Sequence, residues 1–179
     1  MDGLDLEWVS GKSVPRGELM ALINAAFGIY PFWDEPRLPS VEALEDEAGP
    51  AASFVIARAG ATAVGCAMIR PTDGMEWGVG GGRGIRSADA MYLGLAAVAP
   101  ELRKGGIGRA MLAEAEREAR RRGFGRMTLG TIAEMGNVVY YAAMGYESVD
   151  TVHFDAGHWG LRIPHEFHVM VKTLARGDV

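Results

Sequence analysis

Hydrophobic and polar positions change period repeatedly along the chain, and each change marks an element. Leu4 to Val9 reads as a short first strand. Pro15 to Ala26 carries apolar residues at helical spacing, with Ser13 and a proline marking its start. An aromatic, proline-rich loop from Gly28 to Pro36 follows, then Ser40 with Val41-Glu42-Ala43 in capping-box spacing opens an acidic helix that runs to about Ala48. Ala52–Ala59 and Ala63–Arg70, parted by Gly60-Ala61-Thr62, read as a β-hairpin. Gly74 to Gly84 holds six glycines in eleven residues and predicts a mobile loop. It lacks the Gly-Lys-Ser/Thr ending of a P-loop. Met91 to Val98 is apolar at both parities, as in a strand covered on both faces. From Gly106 to Arg122 the small and apolar residues Gly108, Met111, Leu112, Ala115 and Ala119 recur in steps of three and four, which predicts a helix. Arg126 to Thr131 is the next strand, so strand, helix and strand form a crossover unit whose two strands are expected to be parallel and adjacent. A short helix from Asn137 to Ala143 ends at Gly145, and Tyr146–Phe154 and Phe167–Leu174 close the fold.

Composition narrows the class without naming an activity. The 179 residues are 49% hydrophobic and 23% charged, which suits one ordinary α/β domain over 1–179 and excludes a disordered chain. No repeat, linker or membrane-length apolar run is visible, and the acidic start lacks the order of a signal peptide, so the expected address is cytoplasmic. The single cysteine, Cys66, lies in an apolar stretch and reads as a small buried hydrophobe. A net charge of −5 argues against nucleic-acid or membrane partners, yet Glu101 to Arg126 carries eight cations and four acids. Arg117 to Arg122 complement a helix C-terminus. Arg103, Lys104 and Arg109 sit at the opposite end, where a cation is unfavourable unless an anion is present.

That end of the helix carries the chemistry. In Val98-Ala99-Pro100-Glu101-Leu102-Arg103-Lys104-Gly105-Gly106-Ile107-Gly108-Arg109 a buried strand stops at a proline, and a glycine-rich turn opens directly into a helix. Such a turn presents unpaired backbone N–H groups and the positive end of the helix dipole. Glycines let phosphates approach the main chain, and the flanking cations add charge. A pyrophosphate is the natural guest. A dinucleotide oxidoreductase is disfavoured, since Met111 replaces the third glycine of the Rossmann fingerprint and no acid closes the strand Met127-Thr128-Leu129-Gly130-Thr131.

Val98-x-Pro100-x-x-Arg103-x-x-Gly106-x-Gly108 resembles the acyl-CoA-binding motif of the GNAT superfamily of N-acetyltransferases. Asn137-Val138-Val139-Tyr140-Tyr141-Ala142-Ala143-Met144-Gly145-Tyr146 resembles that family's second motif. The paired motifs cover Met91 to Glu147, and the order of elements extends the likeness over most of the chain. The resemblance implies a single-domain, mixed, twisted β-sheet with helices on both faces. It implies that the strand carrying Ala96, Ala97 and Val98 pairs with the pantetheine arm of acetyl-CoA, and that amides from Lys104 through Gly105, Gly106, Ile107 and Gly108 to Arg109 bind the pyrophosphate beside Arg103. By the same resemblance Asn137 hydrogen-bonds the pantetheine, and Tyr141 lies near the sulfur as general acid. Tyr140 then faces elsewhere and packs.

The chemistry fits, because a thioester needs only an unprotonated amine held beside it, and a phenol can protonate the departing thiolate. The general base is less legible, since the central strand carries no acid. Asp89 and Glu134 are the nearest carboxylates, and Glu134 is taken as the catalytic candidate. His165-Glu166-Phe167-His168 is one residue short of a zinc-protease pattern and lies in a strand that sends its two histidines to opposite sides, so no metal is expected. His153 and His158 either line the acceptor cleft or face solvent. Tyr30, Phe32, Trp33 and Trp159 are candidate walls for that cleft. Ten acids against four cations in the first 60 residues favour a cationic acceptor. The expected activity is transfer of acetyl directly to a primary amine of a small molecule or peptide in a ternary complex. The alternative is a non-catalytic acyl-CoA-binding or regulatory module, and a homodimer is left open.

Overall fold

The computed structural model describes residues 4–72 and 90–174. The expected glycine-rich loop at 74–84 and Asp89 lie outside the described residues. Among these residues seven strands, β1 (Leu4–Ser10), β2 (Ser53–Ala59), β3 (Thr62–Pro71), β4 (Ala90–Val98), β5 (Arg126–Ile132), β6 (Glu147–Phe154) and β7 (His165–Thr173), form one mixed sheet in the order β1-β2-β3-β4-β5-β7-β6. Among the described residues four helices accompany them, α1 (Arg16–Phe27), α2 (Val41–Ala48), α3 (Ile107–Arg121) and α4 (Asn137–Ala143). Most elements fall within a residue or two of their expected places. The order at the far edge differs from chain order: β7 pairs antiparallel with the whole length of β5, from Arg126↔Thr173 to Ile132↔Phe167, and separates β5 from β6.

The chain divides into two compact units, 1–70 with 94–117 and 71–93 with 118–179. In the first, β1 and β2, then β2 and β3, pair antiparallel. Phe54, Ile56, Met68 and Ile69 of the hairpin are fully buried, as are Leu19 and Ile23 of α1 and Leu44 of α2. Ser13 was the expected cap of α1, but no side chain caps it: Pro15 occupies the N-cap and the Ser13 amide bonds the Ser10 carbonyl instead. Ser40 does cap α2, accepting from the Ala43 amide. Position 43 carries no carboxylate to reciprocate, and Glu42 supplies one, bonded to its own amide and the Ser40 hydroxyl, which holds its carboxyl below the usual range. Asn24 pins the following loop to α1, donating to the Leu38 carbonyl at 2.9 Å and accepting its amide at 2.8 Å.

In the second unit β4 and β5 pair in parallel from Ala90↔Arg126 to Leu93↔Leu129, as the crossover rule requires. Met91, Met127, Tyr146 and Met170 form its core. At the end of α3 the cations are locally balanced: Glu118, almost fully buried, takes two bonds of 2.6 Å from Arg121 and one of 2.7 Å from Arg122. The Arg121 and Arg122 guanidinium groups pull its carboxyl down to about 2 against the cost of burial. A depressed carboxyl stabilises the fold above its unfolded value near 4.3, and that share is lost as pH falls toward 2. Glu118→Gln is therefore expected to lower stability by about 1–2 kcal/mol at pH 7 and by much less at pH 2, allowing for the exposure of Arg121. Chemical denaturation at the two pH values reads the difference.

Candidate functional site

The first unit carries the strand, turn and helix start that the sequence marks for chemistry. Two residues past the last β4–β5 pair, Leu95 holds φ at 46°, a left-handed conformation that regular strand residues avoid. It acts as a bulge does, re-aiming the main chain of Ala96, Ala97 and Val98. The Leu95 carbonyl lies 3.6 Å from Cys66 Sγ, and burial pushes that thiol up to about 12, so Cys66 is a buried packing group and not a nucleophile. Pro100 ends the strand and starts a single 3-10 turn to Leu102, with the Ala99 amide bonded to Val64 of β3.

Lys104 (φ 68°) and Gly106 (φ 83°) then reverse the chain. Gly105 packs so closely that an added Cβ would stand 3.2 Å from the Leu102 carbonyl. The Ala110 amide makes the first helical bond, to Gly106, so the amides of Ile107, Gly108 and Arg109 precede any i−4 acceptor and point out of the helix start. The position of this start is set from below by Gly65 of β3, where an added Cβ would meet Met111 at 2.9 Å and Ile107 at 3.0 Å. Lys104 and Arg109 are exposed and have no ionic partner among the described residues. Backbone donors, a dipole and two unengaged cations around a bulk-free turn suit a bound diphosphate.

Arg103 departs from the rim role that its position implies. Its guanidinium turns to α1, donating to the Ala26 carbonyl and to Tyr30 Oη at 3.3 Å, and lies over the Tyr30 ring at 5.6 Å. Tyr30 in turn neighbours Phe32 at 5.5 Å, and Phe32 neighbours Trp33 at 6.5 Å. These three candidate wall residues thus form one run, with Phe27 against Trp33 at 6.2 Å.

The second unit carries the remaining candidates. Asn137 opens α4 after Gly136 (φ 73°), and its side-chain amide has no hydrogen-bond partner among the described residues. Tyr141 is half-buried, packed edge-on against the buried Tyr146 ring at 5.8 Å. Tyr140, expected to be the packing member of the pair, is the more exposed at 38%, with its ring against Tyr141 at 5.2 Å. Glu134 stands in a 3-10 turn after β5 and is exposed, both carboxylate oxygens accepting the Glu166 amide at 3.3 Å. His153 is exposed against Glu166 at 3.2 Å, and His168 reaches the same carboxylate at 3.5 Å. Among the described residues no cluster of side chains suited to a metal ion occurs.

The sequence model of the acetyltransferase (GNAT) family matches residues 18–146, which span the glycine turn and the Asn137–Tyr141 helix alike. The chain belongs to the GNAT acetyltransferase family. Solved structures agree on the fold. A ribosomal-protein-alanine N-acetyltransferase from Brucella melitensis is 24% identical at a TM-score of 0.67, covering 95% of this chain and 99% of its own. The ribosomal-protein-S18-alanine N-acetyltransferase of Escherichia coli has a TM-score of 0.69 at 14% identity, covering 98% and 96%. A GNAT family acetyltransferase from Elizabethkingia anophelis, solved with acetyl-CoA bound, has a TM-score of 0.63 at 17% identity, covering 97% and 100%. No curated protein matches the chain. As a GNAT protein it is an acetyltransferase built on a mixed seven-stranded sheet, and no described helix is long and apolar enough to cross a membrane.

Proposed function

We propose that this GNAT chain, one domain over 1–179 working in the cytoplasm, transfers acetyl from acetyl-CoA directly to a primary amine of a small molecule or peptide in a ternary complex. The observation that carries the reading is the helix start at Lys104–Arg109, with its left-handed Gly106, its outward amides and two cations lacking ionic partners. Amides of Gly106, Ile107, Gly108 and Arg109 hold the diphosphate of the co-substrate, with Lys104 and Arg109 as counter-charges, whereas the Gly105 amide, expected to join them, turns inward to the Leu102 carbonyl at 3.4 Å. Arg103 supports the turn rather than the anion, since its side chain is committed to α1 and Tyr30 and its amide donates to the Pro100 carbonyl. The main chain of Ala96, Ala97 and Val98 pairs with the pantetheine arm, and the unengaged Asn137 amide hydrogen-bonds it.

Binding supplies orientation, and orientation does most of the work, because a neutral amine beside a thioester carbonyl attacks it without a covalent enzyme nucleophile. The Tyr141 phenol donates its proton to the departing thiolate. Glu134, exposed and held at the start of β7, takes the proton that the acceptor ammonium must lose. Glu134→Gln is expected to lower kcat about 10–100-fold at neutral pH while leaving the KM for acetyl-CoA unchanged, with the deficit shrinking as pH rises and supplies neutral amine. An equal deficit at all pH values would assign Glu134 to structure. Incubating the chain with acetyl-CoA and a panel of primary amines, with free thiol as readout, tests the whole reading. Amine-dependent thiol release with intersecting initial-rate lines is expected. Parallel lines would replace the ternary complex by an acyl-enzyme route, and retained CoA binding without thiol release would make the chain a binding module.

A further inference from the structure

Three aromatic rings from β6 and the turn after it, Phe154 at 5.3 Å, His158 at 6.2 Å and Trp159 at 5.9 Å, surround one buried imidazole. His165, the first residue of β7, is 2% exposed. Its Nδ1 lies 3.1 Å from the Ile163 carbonyl, which can only accept, so Nδ1 carries the proton. Its Nε2 is buried and has no hydrogen-bond partner among the described residues. In an imidazole that donates from Nδ1, the other nitrogen, Nε2, is the acceptor. Folded proteins seldom leave such an acceptor unmet.

A second feature stands over the first. Trp159 holds φ 52° and ψ 25°, a conformation that bulky residues rarely adopt, while its indole remains 45% exposed. Burial therefore does little to offset the strain. Gly157 (φ 94°) and Gly160 (φ 74°) flank it, so the turn has free joints on both sides of the indole. The Trp159 ring lies 5.9 Å from His165, 4.7 Å from Phe154 and 5.1 Å from Phe167, while Phe154 stacks on His158 at 4.0 Å. Strain kept at an exposed aromatic beside an unmet buried acceptor is a pairing that ligand sites show.

We propose that His165 Nε2, with the faces of Trp159 and Phe154, is the subsite for the primary ammonium group of the acceptor, borne on an apolar body. The lone pair accepts an N–H, and the ring faces attract positive charge. A carboxylate offers no donor and meets the negative faces of the rings. Trp159 swings on its glycine-flanked turn to admit the group. Glu134, bonded to the next amide of β7, stands at the same strand end to take the proton. This inference rests on the amine-acetyltransferase reading and deepens it.

Calorimetric titration with 2-phenylethylammonium chloride, and with phenylacetate as the charge-reversed control, tests it on the full chain with and without CoA. The wild type is expected to bind the ammonium saturably and phenylacetate at least about tenfold more weakly. His165→Phe keeps the ring but removes the acceptor, and is expected to lose at least about tenfold in ammonium affinity with an equal or higher Tm. His165→Gln, which restores an acceptor, recovers part of the loss. Should His165→Phe fail to fold, Trp159→Ala, at an exposed position, is expected to weaken ammonium binding several-fold with Tm unchanged. No saturable ammonium binding by the wild type, or equal affinity in the variants, overturns the subsite. A failed CoA titration of the same samples counts against the co-substrate reading alone.

Discussion

Gly106→Glu abolishes CoA binding, by at least about a hundredfold in Kd, while the chain still folds. Two effects act together. Gly106 sits at φ 83°, where a Cβ costs about 1–2 kcal/mol, and the turn must shift to relieve it. The new carboxylate stands at the start of α3, on the amides that would hold the diphosphate, and takes their place as an intramolecular anion. The second effect dominates, and a control separates them. Gly106→Asn tolerates the left-handed region and adds no charge, so it is expected to weaken CoA only about tenfold or less. Calorimetry with CoA and the thermal midpoint of each variant check the pair. Unchanged affinity in Gly106→Glu would remove the turn from the binding of CoA.

Tyr141→Phe lowers kcat by about a hundredfold or more, with the KM for acetyl-CoA changed less than about twofold. Only the hydroxyl is lost, and the ring keeps its edge contact with Tyr146 at 5.8 Å, so the packing of the ring is retained. What disappears is the proton for the thiolate, a contribution of about 10²–10⁴ in general acid catalysis. Tyr140→Phe, one residue away on an exposed ring, is the matching control and is expected to turn over normally. Full activity in Tyr141→Phe would take that hydroxyl out of the chemistry.

The two motif segments were legible in the sequence because both are local: a proline that stops a strand, glycines that open a turn, and a seven-residue helix bounded by Asn137 and Gly145. Helix and strand spacing placed the remaining elements for the same reason. What escaped is set by tertiary contacts. The insertion of β7 between β5 and β6 depends on pairing at long range and leaves no local mark. Arg103 reads as a rim cation because the turn is basic, yet the α1 carbonyl and the Tyr30 ring capture it from 73 and more residues away. Likewise His165 reads as one half of a weak metal pattern, and only the fold shows it buried with one nitrogen unmet. The left-handed Leu95 has no sequence signal, since nothing in the type of a leucine announces a bulge.

Comparison of CoA with pantetheine, which lacks the diphosphate and nucleotide, tests the central claim most directly. If amides at the start of α3 grip the diphosphate, CoA binds the wild type saturably in a calorimetric titration and pantetheine binds at least about a hundredfold more weakly. Equal affinities, or no heat on adding CoA, would contradict the account.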